Sequence, residues 1–196
     1  YGLVLLAISI LLGAAELCGR EVPDSIRVEA EARYEAGRRL LDSGDVDAAA
    51  ERYREALAIH PGHAPALVGV GHVHLSRGDL GAAEKAFLSA RAKQRKYAPA
   101  HNGLGLVYLQ KERGLQWAVQ YFRDAIEADR GYAEAYYNMA EAFRQLRDTR
   151  ELKMYRRLAE IAPEHPGIWF RIGRIYKDGR AGQYVDLGKA ETAFRQ

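Results

Sequence analysis

From Ala30 to about Pro166 the sequence repeats itself roughly every 34 residues, and a period of that length points to helical hairpins stacked along a line. The segments beginning at Ala30, Ala64, Ala98 and Ala133 share one skeleton. Each opens on a small residue, and Gly37, Gly71, Gly105 or Ala140 stands seven residues on. A turn follows at Ser43-Gly44-Asp45, Arg77-Gly78-Asp79, Arg113-Gly114-Leu115 and Arg147-Asp148-Thr149. A small–large–small triad then recurs as Ala49, Tyr53, Ala56; Ala83, Phe87, Ala90; and Ala118, Phe122, Ala125.

The first unit shows why these residues stand where they do. Ala32, Ala36, Gly37 and Leu40 recur at helical spacing and form one apolar stripe. Gly37 removes a side chain where the partner helix must come close. Gly44 suits the left-handed residue that ends the first helix, and Asp45 suits the N-cap of the second. Ala49, Tyr53 and Ala56 make the matching face. His60-Pro61-Gly62 stops the helix, because Pro cannot continue the hydrogen-bond ladder. One such pair buries too little surface to stand alone, so stacking of at least three units is needed. Strands have almost no support, since alternating apolar runs bounded by hairpin turns are missing. The 196 residues suit one all-α array of four and a half hairpins. The aromatics Trp117, Tyr121, Phe122, Tyr132, Tyr136 and Tyr137 are expected chiefly in the hairpin core, with Tyr137 the most exposed.

Several chemistries are weighed and set aside. Lys and Arg number 29 against 26 Asp and Glu, which gives no general case for nucleic acid. Cys18 is the only cysteine, so no intrachain disulfide or Cys-based zinc site is available. His60 and His63 fall in a loop, while His72 and His74 are two apart on a helix and face different ways, so no metal is expected. Gly69-x-Gly71 and Gly103-x-Gly105 lie inside helices and follow no strand; they read as packing glycines rather than a dinucleotide loop. No G-x-S-x-G elbow or H-E-x-x-H pair appears, and Asp45 and Asp47 read as turn residues. No catalytic residue, cofactor or small-molecule substrate is expected.

These features resemble the tetratricopeptide repeat family, whose pattern is W-x2-L-G-x2-Y, then A-x3-F, then P. Leu104-Gly105-x2-Tyr108 with Ala118-x3-Phe122 is the best copy, and Trp169-x2-Ile172-Gly173-x2-Tyr176 opens a fifth unit. Arg33, Leu67, His101 and Tyr136 replace the first Trp, and His74 replaces the Tyr. The closing Pro is present at Pro61, is shifted by one at Pro163, and is replaced by Arg95 and Arg130. The third unit carries an extra residue in Lys111-Glu112-Arg113-Gly114. The resemblance implies a right-handed superhelical α-solenoid, with units at 30–63, 64–97, 98–132 and 133–165 and a partial unit at 166–196. At Lys177–Leu187 the period breaks with an extra Arg180-Ala181-Gly182-Gln183-Tyr184-Val185, which resembles Sel1-like repeats. Ala190 and Phe194 then restore the second helix. The native chain is expected to continue past Gln196, or this end to be covered by a partner.

In the resembled family the first helix of each hairpin lines a concave groove. That assigns Tyr34, Arg38 and Leu41; Val68, His72 and Leu75; Asn102, Leu106 and Leu109; Tyr137, Glu141 and Arg144; and Phe170, Arg174 and Lys177 as partner-binding candidates. An apolar early groove suits an amphipathic helix or an extended hydrophobic peptide. One variant of the family clamps a C-terminal carboxylate with Lys and Asn on successive first helices. Here Tyr34, Arg38, Val68 and His72 hold those places and only Asn102 fits, so a clamp of that kind is not expected.

The start of the chain raises a separate expectation. Tyr1–Ala15 carries no charge and Glu16-Leu17-Cys18-Gly19-Arg20 is a polar exit. Residues 1–19 are read as a single transmembrane helix, with a signal-peptide remnant or a buried helix as alternatives. Glu16-Leu17 before Cys18 argues against lipid attachment. Residues 20–29 form a linker in which Asp24 or Ser25 can cap a helix running into the first unit. A single-pass membrane localisation follows. Arg20, Arg27 and Arg33 favour a cytoplasmic repeat domain, while family resemblance favours the periplasm slightly. Three functions stay open: a non-catalytic, membrane-anchored scaffold for protein partners; a permanent subunit of a membrane complex; and the adaptor region of a larger enzyme.

Overall fold

Short turns fold each repeat back on itself. The computed structural model describes residues 22–179, 191–193 and 195, and these contain helices and turns but no strand. Helices α1 (Asp24–Asp42) and α2 (Val46–Ile59) form the first hairpin, and α3 (Ala64–Ser76) and α4 (Leu80–Lys93) the second. The third comprises α5 (Ala98–Gln110) and α6 (Leu115–Ala128), and the fourth α7 (Ala133–Gln145) and α8 (Arg150–Ile161). Helix α9 (Ile168–Lys177) packs on α8. The segment 180–190, which holds the expected Sel1-like turn, and Phe194 lie outside the described residues.

The turns use the expected chemistry in the first two hairpins and another in the next two. Gly44 and Gly78 take the left-handed backbone at φ of 87° and 75°. The Asp45 carboxylate then accepts the Ala48 N–H at 3.1 Å, and Asp79 accepts that of Ala82 at 2.9 Å, capping α2 and α4. In the later turns Arg113 and Arg147 are left-handed instead, at 56° and 55°. Gly114 is not the left-handed residue, its φ being −83°. It is required for space, because a Cβ there would collide with the Tyr108 carbonyl oxygen. Asp24 lies in the first turn of α1 and Pro23 occupies the cap without a side-chain bond, so neither Asp24 nor Ser25 caps that helix.

The core runs through the array as a row of buried rings. Tyr53, Phe87, Phe122 and Tyr155 are each 0–1% exposed. Two of them are gripped from both sides by glycine. A Cβ at Gly37 would stand 2.7 Å from the Tyr53 ring, and one at Gly69 would stand 2.5 Å from the same ring. Gly71 and Gly103 hold Phe87 in the same way, so the ring of one hairpin enters the first helix of the next. First helices therefore meet: α1 touches α3, α3 touches α5, and α5 touches α7. The second helices α2, α4, α6 and α8 do not touch one another. The array accordingly curves with the first helices on its inner side.

Two expectations are corrected. Single-pass membrane localisation is not upheld, because no helix among the described residues is long and apolar enough to cross a membrane. The longest, α1 with 19 residues, carries charge on every turn. The segment 1–19 that prompted the expectation, with Cys18, lies outside the described residues. Trp117 is not core; it is 61% exposed on α6, while Phe122 of the same helix is fully buried.

Two glycine substitutions separate packing from helix propensity. Gly103→Ala places a Cβ within 2.6 Å of three Phe87 ring atoms. We expect a loss of about 1–3 kcal/mol from overpacking, offset by about 0.5–1 kcal/mol of helix propensity. Gly81→Ala on the exposed start of α4 meets nothing nearer than 3.7 Å and should stabilise slightly. Urea unfolding of both variants gives the test; equal midpoints would refute the ring-in-notch account.

Candidate protein-interaction groove

Successive first helices carry one row of side chains along the inner face. Val68 and Asn102 are buried, at 6% and 3% exposure. Tyr34, Leu41, His72, Leu75, Leu106, Leu109, Tyr137 and Glu141 are half-buried, while Arg38, Arg144, Phe170, Arg174 and Lys177 are exposed. Val68 belongs to the Phe87–Leu104 cluster and so serves packing. Asn102 is engaged across helices: its Oδ1 accepts from Asn138 Nδ2 on α7 at 2.9 Å.

A second row, which the first-helix assignment did not include, stands at the residue before each first helix: His63, Tyr97 and Tyr132. His63 is 7% exposed. Its Nδ1 accepts the Ala66 N–H at 3.2 Å, which caps α3. That leaves Nε2 to carry the proton and donate to the Glu31 carboxylate on α1 at 3.0 Å. Tyr34 lies against His63, ring centroids 5.7 Å apart. Burial pushes the Tyr97 hydroxyl up to about 12, with Tyr34 and the Glu31 carboxylate adding to the shift. Burial also raises Tyr132, with the Glu134 carboxylate and then Tyr97 and Tyr34 adding to the shift. Tyr34, His63, Tyr97, Tyr132, Asn102 and Asn138 thus form one aromatic and amide floor. A signal was present in the sequence: His63-Ala64-Pro65, Tyr97-Ala98-Pro99 and Tyr132-Ala133-Glu134 place an aromatic ring before each repeat start.

Charge organises the far end. The Glu141 carboxylate accepts from Arg144 Nε at 2.8 Å and pairs with Arg171 on α9 at 2.9 Å. It also accepts the Tyr155 hydroxyl, and Arg171 donates to the Tyr137 hydroxyl at 3.0 Å. Burial opposes ionisation of Glu141, but the Tyr155 hydrogen bond and the two arginines outweigh it and hold the carboxyl below its usual range. Tyr155 is pushed upward by burial and by that same bond. Tyr137 is therefore not a free surface ring; it is stacked on His165 at 5.1 Å and tied to Arg171. Between the ends, His72 lies edge-on to Phe87 at 5.3 Å, and burial lowers its pKa.

Among the described residues no group of three or more His, Cys, Asp or Glu could hold a metal ion. The arrangement offers aromatic faces, paired amides and fixed charges along a curved surface. Such a surface can hold a chain through hydrogen bonds and stacking.

The fold defines a class, an α-solenoid of helical hairpins with a lined inner groove. Residues 40–107 match the tetratricopeptide repeat family, and the described helices share the hairpin fold of solved tetratricopeptide-repeat structures. Similar solved structures include the Pseudomonas aeruginosa protein pilF, at 18% identity and a TM-score of 0.74, over 88% of this chain and 76% of that one. A thermophilic repeat protein of Thermus thermophilus, TTC0263, matches at 17% identity and 0.70, over 85% and 88%. YrrB, described as having an unusual peptide-binding site, matches at 20% identity and 0.55, over 84% and 86%. No curated protein matches the chain by sequence.

Two measurements probe this site. Glu141→Gln leaves Arg144, Arg171 and the Tyr155 hydroxyl without their shared anion. We expect a loss of about 1–3 kcal/mol in chemical unfolding, and no loss would show the network to be incidental. For His72 the fold favours the neutral ring, so the unfolded chain binds the proton more readily. Stability is then intact above the ordinary His value of about 6.5 and falls as pH drops toward the lower folded value. His72→Leu, which copies Leu106 of the next unit, should flatten that part of the thermal-midpoint profile between about pH 7.5 and 5.5.

Proposed function

We propose that this protein is a non-catalytic interaction scaffold that holds a partner's peptide segment in its inner groove. The observation that carries this reading is the continuous floor of Tyr34, His63, Tyr97, Asn102, Tyr132 and Asn138, contributed by every hairpin from the first to the fourth. Amides and hydroxyls suit the backbone of an extended chain, which must satisfy its own N–H and C=O groups. Tyrosine rings add contact area at small entropic cost. The half-buried Leu75, Leu106 and Leu109 give apolar places between them. The bound peptide in this reading is extended rather than helical, because the floor is polar and aromatic where an amphipathic helix would present a continuous apolar face. That YrrB is described as having a peptide-binding site agrees with the reading.

Site-specific photo-crosslinking in cells gives a direct test. A photoreactive residue replacing Leu106 on the inner face should yield a discrete crosslinked partner. The same residue replacing Arg54, exposed on α2, should not. Equal crosslinking from both positions, or a product from Arg54 alone, would remove the groove from the function.

A further inference from the structure

Charge is unevenly distributed along one edge of the array. The stretches 23–33, 57–67, 91–101, 126–136 and 159–169 occupy one register of the repeat, each running into the first turn of a unit's first helix. They lie along the edge where second helices end and first helices begin. Ala98 at the start of α5 shares one buried cluster with Ala125 near the end of α6 and Ala135 at the start of α7, so the third and fourth stretches are neighbours. The first stretch is mixed, with Asp24, Glu29 and Glu31 against Arg27 and Arg33, and the second has no formal charge at neutral pH. The third carries Arg91, Lys93, Arg95 and Lys96 and no acid. The fourth carries Glu127, Asp129 and Glu134 against Arg130, and the fifth carries Glu160 and Glu164. A basic stripe therefore lies directly beside an acidic one.

Neither stripe is consumed within the chain. Lys93, Arg95, Lys96, Glu127, Asp129 and Glu134 are exposed, and none of them enters an ion pair among the described residues. The dipole of α4 accounts for Arg91 and Lys93, which stand in its last turn. It does not account for Arg95 and Lys96, which occupy the places of Pro61-Gly62 and Arg130-Gly131 in the neighbouring stretches.

We propose that this edge pairs with the same edge of a second copy of the chain, the basic stripe of each lying against the acidic stripe of the other. A two-fold axis between the stripes makes both contacts at once, because an isologous interface repeats every contact. The same operation sets the uncharged 57–67 opposite Glu160 and Glu164, so no stretch meets one of its own sign. An axis through either stripe would instead set like charge on like charge, which is penalised. Exposed ion pairs are individually weak and are screened by salt, so the dimer is reversible and salt-sensitive. The pairing does not depend on what the inner groove holds.

Sedimentation equilibrium of the full chain, at loading concentrations up to about 10⁻⁴ M, gives the test. We expect a monomer–dimer equilibrium that weakens about tenfold or more between about 0.05 and 0.5 M salt. The variants Arg95→Glu/Lys96→Glu and Glu127→Lys/Glu134→Lys should each be monomeric. Asp129 is left in place because its carboxylate accepts the Gly131 N–H at 2.8 Å. An equimolar mixture of the two variants should dimerise again, since the two reversed stripes then face each other and so do the two native ones. A misfolded variant would not recover in this way. A wild-type chain that stays monomeric at low salt would overturn the proposal and leave the basic stripe to an anionic partner of another kind. Association unchanged by salt and by both pairs of substitutions would overturn it by moving the contact to another surface, and a mixture that stays monomeric would overturn the pairing of the two stripes.

Discussion

The structure depends on a ring entering a notch. In each of the first three hairpins the second helix offers one large aromatic, and the first helix of the same hairpin yields to it by omitting a side chain. Gly37, Gly71 and Gly105 make room for Tyr53, Phe87 and Phe122. Gly69 and Gly103 repeat the omission on the following hairpin, so Tyr53 and Phe87 are held from two sides. Burial of a ring of this size is worth about 1.5–3 kcal/mol. Each ring therefore closes its hairpin, and Tyr53 and Phe87 also join theirs to the next. That is the quasi-one-dimensional logic of a repeat array.

The same position changes character along the chain, and the groove changes with it. The residue two before the packing glycine or alanine of each later unit is Gly69, Gly103, Asn138 and then Arg171. Where it is glycine, first helices meet closely around the Tyr53 and Phe87 rings. Asn138 instead reaches back to Asn102, which makes the third seam polar while the helices still touch. Arg171 is too large for such an approach, and α9 does not touch α7 at backbone level. The gap is spanned by side chains: Arg171 to Glu141 and to Tyr137. One position thus moves from van der Waals packing, through an amide pair, to an ion pair.

Much of this was legible in the sequence because it depends on periodicity. The helices, the second-helix rings and the packing role of Gly69 and Gly103 follow from spacing alone. The caps at Asp45 and Asp79 follow from turn chemistry. What could not be read was set by the distance between hairpins. Nothing in the local sequence shows that Arg113 takes the left-handed backbone while Gly114 is needed to clear the Tyr108 carbonyl. Val68 looked like a groove residue because its helical position is right; the approach of the next hairpin turns it into core. Trp117 shows the reverse, a large apolar residue left outside because its helix presents Phe122 inward. The membrane expectation rested on composition in residues 1–19, and no described helix supports a span.

The His63 site shows why structural and binding roles are hard to separate in such an array. One imidazole caps α3 through Nδ1 and ties α1 through Nε2, so both nitrogens are committed before any partner arrives. Tyr97 and Tyr132 stand at the same place in later units but make no side-chain cap. The hydroxyls of Tyr97 and Tyr132 take no part in capping their own helices. The first unit boundary spends its ring on holding two hairpins together, and the later ones keep theirs on the groove floor. In the proposed peptide-binding reading, selectivity would then concentrate in the third and fourth units, whose rings cap no helix.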